Sequence, residues 1–497
     1  MINPIAVRVE STIRNNTYKW WVLAVVQCSI LLVGIDSTAV NLALPTIAKE
    51  MSASVDVSQW IIAAYFIATA LSLPAAGRFA DMLGRKAVFV GGFAIFTLGS
   101  AFCGLATDIH VLIAMRVLQA IGAAALLANS NVITLAVFPH EQHGVAMGIN
   151  GTVYSLGYAL GFTVGGWFIY AFGWRAIFII NVPIGLAAIG LGLCILIESR
   201  LGAEKKTEQT FDYVGMVFSV FGIGGLLVAL EALADGHFSG FRLALLPVGL
   251  VSLFIFIFVE LRSRSPLLDI RLFKLPLFSI GVSTRFLNNG IVAACSFLIP
   301  FYTQIAMGFS PVESGLLMLP YSLALAICGP LAGRLSDKFG ARYMTTGGFI
   351  CGGLALFWLS TLQAVPPGAD ITATVWQVLL GMLFLGAASG FFVSPNNSIT
   401  LDSVPTDQTG AASGCLWCFS FLGAAVGTAF GAAMLNHGEK AAHGTSMILH
   451  RGMSLVEPDL QDILLHQQTE VFHILMVFSI VGAGVCFLRG TGRKLSV

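Results

Sequence analysis

The chain has 497 residues, of which 57% are hydrophobic and only 10% are charged. A soluble domain carries roughly 25% charged residues, so this composition excludes water-soluble enzymes and disordered chains. The 26 Lys and Arg residues nearly balance the 25 Asp and Glu residues, so no basic surface points to a nucleic-acid partner. The 54 glycines are typical of closely packed membrane helices. The composition therefore predicts a polytopic membrane protein whose surroundings are the lipid bilayer.

The apolar segments predict how often the chain crosses the bilayer. A helix needs about 20 mostly apolar residues to span the hydrocarbon core. Charge clusters and Pro/Gly turns divide the sequence into fourteen such segments, which predicts an all-α fold. The predicted spans are 20–45, 58–76, 87–107, 109–137, 144–172, 176–197, 211–231, 241–260, 278–307, 312–333, 343–363, 373–395, 408–435 and 470–489.

The distribution of Lys and Arg tests this division. With the N-terminus inside, the inside segments hold 19 of the 26 Lys and Arg residues and the outside loops hold 5. Cytoplasmic loops are enriched in Lys and Arg, and one miscounted helix would invert every later loop. The ratio therefore favours fourteen helices with both termini in the cytoplasm.

Two features of the sequence occur twice. The segment GRFADMLGRK at 77–86 follows the second span, and GRLSDKFGAR at 333–342 follows the tenth. Glycines at four-residue spacing occur in spans five and thirteen, where they expose one helix face to close packing. These helix-packing glycines are Gly157, Gly161, Gly165, Gly423, Gly427 and Gly431.

The repeat predicts two parallel six-helix bundles separated by an inserted pair of helices. Parallel repeats around a central axis are a transporter architecture, with the substrate site between the halves. The predicted divisions are a cytoplasmic tail at 1–19, a bundle at 20–197, linker helices at 211–260, a bundle at 278–489 with a long external loop at 436–469, and a cytoplasmic tail at 490–497.

The motifs also resemble those of a known family. The segment 77–86 resembles the cytoplasmic loop signature of the major facilitator superfamily. The stretch DSTAVNLALP at 36–45 resembles the first-helix motif of its fourteen-helix drug:proton antiporters of the EmrB/QacA type, and LIAMRVLQAIG at 112–122 resembles their fourth-helix motif. This resemblance implies the major facilitator fold, a bacterial inner-membrane location and multidrug efflux by antiport. It also associates Arg116 with proton coupling.

Two positions depart from the family pattern. Ala120 stands where the fourth-helix motif has glycine, and Phe162 stands where the fifth-helix antiporter motif has proline after Gly161. The glycine ladder of span five is thus kept without its proline kink. In the resembled family, that motif is associated with export by antiport.

Asp36 and Arg116 are the strongest candidates for proton coupling. A carboxylate inside a span costs on the order of 3 kcal/mol and is a functional hypothesis by default. At 1.5 Å per residue, Asp36 lies about 8 Å and Arg116 about 10 Å below the outer surface. We expect Asp36 to titrate and Arg116 to hold its proton affinity low until their pairing weakens. The alternative is a static ion pair with helix-orienting hydrogen bonds.

The repeated segments are candidates for conformational gating. Glycine permits close helix contact, the acidic residue can pair with a basic residue or a helix end, and the basic residues face anionic lipid. The alternative is that these residues only fix the topology. The gating candidates are Gly77, Asp81, Gly84, Arg85, Lys86, Gly333, Asp337, Gly340 and Arg342.

Polar and aromatic residues within the spans are candidates for the substrate cavity. Substrate contact and a structural hydrogen-bond network are both open for the polar residues, and lipid contact or packing is open for the aromatic ones. These candidates are Asn41, Gln119, Tyr154, Tyr158, Arg285, Asn288, Asn289 and Trp417.

The sequence therefore predicts a proton-coupled secondary transporter that exports hydrophobic or amphiphilic small molecules. Export of one endogenous metabolite, lipid or siderophore is the alternative, and a membrane enzyme or sensor is a remote one. No nucleotide-binding or metalloprotease motif is present, so we expect no catalytic residue, no metal and no cofactor besides the coupling proton. A periplasmic adaptor protein could dock on the external loop.

Overall fold

The computed structural model describes residues 17–139, 142–201, 212–234, 240–263, 268–362, 370–405, 408–443 and 458–489. These residues form fourteen long helices and contain no strand. The helices are α1 Tyr18–Glu50, α2 Trp60–Leu83, α3 Arg85–Leu105, α4 Ile109–Val137, α5 His143–Phe172, α6 Asn181–Ile195, α7 Tyr213–Ala234, α8 Gly240–Arg262, α9 Pro276–Phe301, α10 Pro311–Phe339, α11 Ala341–Ser360, α12 Thr372–Asp402, α13 Thr409–His443 and α14 Pro458–Leu488.

The helices have the length and composition of membrane spans. Within the described residues, thirteen segments are long and apolar enough to cross a bilayer, and α7 contributes the shorter apolar stretch Tyr213–Leu226. Large apolar side chains such as Tyr170, Phe254 and Ile327 are exposed on the outside of the bundle, where hydrocarbon is their favoured surroundings. The predicted all-α polytopic membrane fold is confirmed.

The packing of the helices repeats between the two halves. In the first half α1 packs on α5, α2 on α4, α3 on α4 and α3 on α6; in the second half α9 packs on α13, α10 on α12, α11 on α12 and α11 on α14. Each helix of the first bundle therefore has a counterpart eight helices later. The inserted helices α7 and α8 pack chiefly on each other, and α7 also touches α2 and α13.

The glycine ladders allow the closest of these contacts. A Cβ atom on Gly157 would lie 3.1 Å from Gly34 of α1, and one on Gly165 would lie 2.8 Å from Ala39. In the second half a Cβ atom on Gly427 would collide with the carbonyl group of Gly290 on α9. Helices α1 and α5, and likewise α9 and α13, thus meet along bare backbone, as the four-residue spacing predicts.

The predicted gating loops are almost entirely helical, which corrects the sequence interpretation. Helix α2 continues to Leu83 and α3 begins at Arg85, so one residue separates them. That residue, Gly84, has φ +104°, and Gly340 between α10 and α11 has φ +90°. A left-handed φ favours glycine, and here it turns the chain at the same point of both repeats. We call this end of the bundle the cytoplasmic end, following the predicted topology, and the opposite end the outer end.

Several further helix boundaries differ from prediction. Pro45 and Pro395 lie inside α1 and α12, although both positions were predicted to end a span. Proline is tolerated within packed membrane helices because neighbouring groups satisfy the freed carbonyl. The predicted external loop 436–469 is partly helical, since α13 extends to His443 and α14 begins at Pro458. Its centre, 444–457, and the tails 1–16 and 490–497 lie outside the described residues.

Candidate functional site

A buried ion pair joins α1 and α4 inside the first bundle. The Nη1 atom of Arg116 lies 2.6 Å from Oδ2 of Asp36, and each side chain is 1% exposed. Gln119 donates a hydrogen bond to the other carboxylate oxygen at 2.8 Å, and Asn181 at the start of α6 donates to the same oxygen at 3.3 Å. The Nε atom of Arg116 donates to the carbonyl oxygen of Ile61 at 3.2 Å. The two opposite charges therefore neutralise each other, and hydrogen bonds to groups on α2, α4 and α6 hold both side chains in place.

Aromatic side chains enclose the pair. The guanidinium carbon of Arg116 lies 3.9 Å from the centre of the Tyr65 ring and 5.7 Å from that of Phe178. Such contacts stabilise a cation and keep water away from it. Removing one partner of a buried pair leaves an uncompensated charge, which costs about 3–5 kcal/mol. The aromatic rings therefore favour the intact contact between Asp36 and Arg116 in this conformation.

The cluster agrees with the sequence prediction in one respect and differs from it in two. Asp36 and Arg116 are in direct contact, as their matching depths predict. The sequence predicts Gln119 in the substrate cavity, but Gln119 lies in the ion-pair cluster, where it also donates a hydrogen bond to Ser100 at 2.8 Å. It lies three residues after Arg116 on the same helix face, so both side chains turn towards Asp36. Asn181 was missed, although a buried amide within a span is a detectable signal.

A cavity of about 280 Å³ lies between the two bundles. Its wall is formed by α1, α2, α4 and α5 of the first bundle and α9, α10, α12 and α13 of the second. It reaches the cytoplasmic part of the bundle at Met147, Leu401 and Ser413. The predicted cavity residues found in its wall are Asn41, Tyr154, Tyr158, Arg285, Asn288, Asn289 and Trp417. Asp36 and Arg116 are not among the residues that line it.

Aromatic rings from both bundles form a row along the cavity. The ring of Tyr154 lies 5.0 Å from that of Tyr158 and 5.6 Å from that of Trp417. Trp417 stacks on Phe421 at 6.0 Å, and Phe421 lies 5.8 Å from Phe66 of α2. Rings at these separations attract one another and offer flat apolar surfaces to a planar ligand. The row predicts a preference for aromatic molecules.

The cavity is closed at the outer end by direct contact between the bundles. A Cβ atom on Gly315 of α10 would collide with the carbonyl oxygen of Phe162, and one on Gly166 of α5 would lie 2.7 Å from the carbonyl oxygen of Pro311. Gln304, in a π-helical turn after α9, donates to the carbonyl oxygen of Leu42 at 2.8 Å. Under the predicted topology, the conformation is closed to the outside and faces the cytoplasm.

The cytoplasmic segment of the first repeat is held by a residue that the sequence interpretation missed. The carboxylate of Glu198, just after α6, accepts hydrogen bonds from the backbone N–H groups of Arg85 at 2.7 Å and Lys86 at 2.9 Å. It thereby caps the N-terminus of α3, where a negative charge is stabilising. The guanidinium of Arg85 donates to the carbonyl oxygen of Leu201, and Lys86 donates to that of Leu193 at 2.9 Å.

The glycines of the two cytoplasmic segments are not equally packed. No atom of the described residues lies within 4 Å of a Cβ atom built on Gly77, so this part of the chain shows no close helix contact at the position where we expect one. Gly333 is tighter, since its Cβ atom would lie 3.1 Å from Ser394. Asp81 and Asp337 lie near the ends of α2 and α10, and Arg342 lies 4.2 Å from the ring of Phe487. Gating by these residues stays a prediction.

Replacing Glu198 by alanine should destabilise the cytoplasmic end of the first bundle. Loss of a helix cap costs about 0.5–2 kcal/mol, so the purified variant should unfold at a lower temperature than the native chain. The unfolding temperature of Glu198→Gln should lie between those of the native chain and Glu198→Ala, because the glutamine amide oxygen can still accept one of the two hydrogen bonds. Thermal unfolding of purified protein measures this, and an alanine variant as stable as the native chain would refute the capping role.

Two repeated six-helix bundles around a central cavity, closed at one end, are the architecture of membrane transporters. The sequence profile of the Major Facilitator Superfamily matches residues 27–428. The chain belongs to this superfamily, which confirms the family resemblance found in its motifs.

Known transporters are similar to most of the chain. The riboflavin transporter RibZ of Clostridioides difficile (strain 630) is 32% identical over 422 residues, which cover 83% of this chain and 87% of RibZ. The multidrug resistance protein Stp of Mycobacterium tuberculosis (strain ATCC 25618 / H37Rv) is 31% identical over 402 residues, 80% of this chain and 73% of Stp. The multidrug export protein EmrB of Escherichia coli (strain K12) is 29% identical over 412 residues, 82% of this chain and 78% of EmrB.

A solved structure agrees with the fold. A bacterial homologue of the human lysosomal transporter Spinster, in an inward-facing and unoccupied conformation, has a TM-score of 0.67 with this chain. The two share 17% sequence identity, and the match covers 96% of this chain and 97% of the homologue. The family match and the similar transporters show that the chain is a multi-pass membrane transporter, not an enzyme, of the type found in bacterial inner membranes.

Proposed function

We propose that the chain is a proton-coupled exporter of hydrophobic or amphiphilic small molecules that works by alternating access. The observation that carries the proposal is the Asp36–Arg116 pair, a fully buried acid and base beside a cavity that is closed at its outer end. A fixed structural role alone would not need ionisable groups inside the membrane, where they are costly. Export of drugs is supported by the similarity to Stp and EmrB.

In the proposed cycle, substrate enters the cavity from the cytoplasmic end and packs against its aromatic row. The outer contacts between α5 and α10 then separate while the cytoplasmic ends approach each other. A proton from outside neutralises Asp36 and weakens its attraction to Arg116. Return to the inward-facing state delivers the proton to the cytoplasm and restores the pair. Each step moves whole bundles about a fixed central site, as in other transporters built from parallel repeats.

The test uses everted membrane vesicles with an acidic interior, challenged with a panel of dyes and metabolites. Substrate should accumulate inside, protons should leave as it does, and a protonophore should collapse the accumulation. Vesicles without the protein are the control. Accumulation that persists without any proton gradient would contradict proton coupling.

Export of one endogenous metabolite is the second candidate, and the similarity to RibZ, a riboflavin transporter by its name, supports it. The vesicle panel should therefore include riboflavin. Uptake of that one compound, with the dyes excluded, would favour a dedicated exporter over multidrug efflux. A periplasmic adaptor remains a separate prediction for the external loop.

A further inference from the structure

Among the described residues that line the cavity, one side chain is charged at neutral pH. Arg285 of α9 lines the cavity together with amides, hydroxyl groups and aromatic rings, and no carboxylate is among the described lining residues. The net charge of this wall is therefore positive. Because the surroundings are a low-dielectric membrane protein, a single charge acts there more strongly than in water.

Arg285 is incompletely partnered. Its Nε atom donates to the hydroxyl oxygen of Ser420 at 2.9 Å, whereas its Nη1 atom has no hydrogen-bond partner among the described residues. Asn289 also donates to Ser420, so the serine is held in place. The side chain is only 7% exposed. Arg116, by contrast, has its charge balanced by Asp36.

A buried guanidinium without a counter-ion is unfavourable, so a ligand that supplies the missing charge binds with an advantage. A carboxylate suits this position because its two oxygens match the fork of nitrogen donors in guanidinium. A cationic ligand would instead be repelled. The unpaired nitrogen thus points to an anionic group on the transported molecule.

The aromatic row lies beside Arg285. Trp417 precedes Ser420 by three residues on α13, so both face the same side of that helix. Tyr154 approaches Trp417 from the opposite bundle at 5.6 Å. A planar ring can therefore rest against Trp417 while a group attached to it reaches the guanidinium that Ser420 orients.

We propose that the cavity selects planar aromatic molecules that carry one anionic group, and that Arg285 binds this group. The inference deepens the proposed function, since it takes the cavity as the substrate site and names its substrate class. It does not depend on proton coupling, because Asp36 and Arg116 lie outside the cavity wall.

The experiment compares three ligands with the same ring system: anthracene carboxylate, the uncharged anthracene carboxamide and anthracene methylammonium. Equilibrium dialysis with the purified full chain in detergent measures their binding without a proton gradient. The carboxylate should bind about tenfold more tightly than the carboxamide, as expected for a charge-assisted hydrogen bond, and the methylammonium should bind most weakly.

Variants of Arg285 separate recognition from structure. Arg285→Gln should weaken carboxylate binding about tenfold and leave carboxamide binding within about twofold, while Arg285→Lys should keep part of the preference. Arg271→Gln removes the same charge from an exposed position outside the cavity and should change nothing. Retained carboxamide binding shows that the Arg285 variants are folded.

Several results would overturn the proposal. Equal binding of carboxylate and carboxamide, tighter binding of the methylammonium, or no binding of any of the three would exclude this substrate class. An equal loss of all three ligands in Arg285→Gln would mean that Arg285 only shapes the cavity. None of these results bears on proton coupling, and a failure of the vesicle experiment would leave the binding series standing.

Discussion

Asp36→Asn is expected to abolish transport driven by a pH gradient. One proton moving down two pH units is worth about 2.7 kcal/mol, enough for one-for-one exchange to sustain about a 100-fold substrate gradient. Asparagine has the shape of aspartate but takes up no proton in this range, so the variant should accumulate substrate to a ratio of about one. Accumulation in everted vesicles with an acidic interior measures the difference.

The control for this variant is Asp108→Asn. Asp108 is exposed and caps α4, the helix that carries Arg116, by accepting a hydrogen bond from the backbone N–H of His110 at 2.8 Å. Asparagine caps a helix as well as aspartate does, so this variant should transport normally. The same chemical change is thus tested once inside the bundle and once on its surface.

Loss of folding is the competing explanation for an inactive Asp36→Asn chain. The substitution leaves Arg116 buried beside neutral acceptors only, which is destabilising. The double variant Asp36→Asn/Arg116→Gln removes both charges, and we expect it to fold but not to couple. Substrate counterflow without a gradient should continue in both variants. If Asp36→Asn accumulated substrate like the native chain, the pair would be structural.

The number of helices and the contact between Asp36 and Arg116 could be predicted because the thickness of the bilayer constrains both the length of each span and the depth of each residue. A span must be long and apolar, and the rise per residue converts sequence position into depth. The two halves could be recognised because a motif and a glycine ladder each occur twice. These features depend on local sequence and on the membrane alone.

The contacts that could not be predicted join distant segments. Glu198 caps a helix that begins at Arg85, and only the packing of α3 on α6 brings them together. Asn181 likewise depends on tertiary packing, because the packing of α6 against α1 brings its side chain to Asp36. The charges of segment 77–86 predict a loop. A helix can continue into water, however, and only the positive φ of Gly84 interrupts it.

The two proposals together determine how much charge crosses the membrane in each cycle. Export of a monoanion in exchange for one proton moves two charges in the same electrical direction. The membrane potential supplies about 2.3 kcal/mol per charge per 100 mV, so it contributes twice as much as it would for a neutral substrate. An inside-negative potential therefore favours the expulsion of the substrate class that Arg285 selects.

Gly315→Ala is expected to hinder closure of the outer end. The added methyl group would collide with the carbonyl oxygen of Phe162 and would lie 3.1 Å from the side chain of Leu42. In the proposed cycle this contact between α5 and α10 breaks when the outer end opens, so we expect the penalty to fall on the inward-facing state alone. Overpacking costs about 1–3 kcal/mol, which shifts the equilibrium about 5- to 150-fold towards the outward-facing state.

Transport by Gly315→Ala should therefore fall about tenfold or more, and hydrogen–deuterium exchange should rise at the outer ends of α5 and α10. Gly329→Ala is the matched control, because Gly329 lies on the same helix and no described residue comes within 4 Å of the added atom. It should exchange and transport like the native chain. Unchanged exchange and transport in Gly315→Ala would mean that the bundles do not part at this crossing, and the opening motion would have to be sought elsewhere.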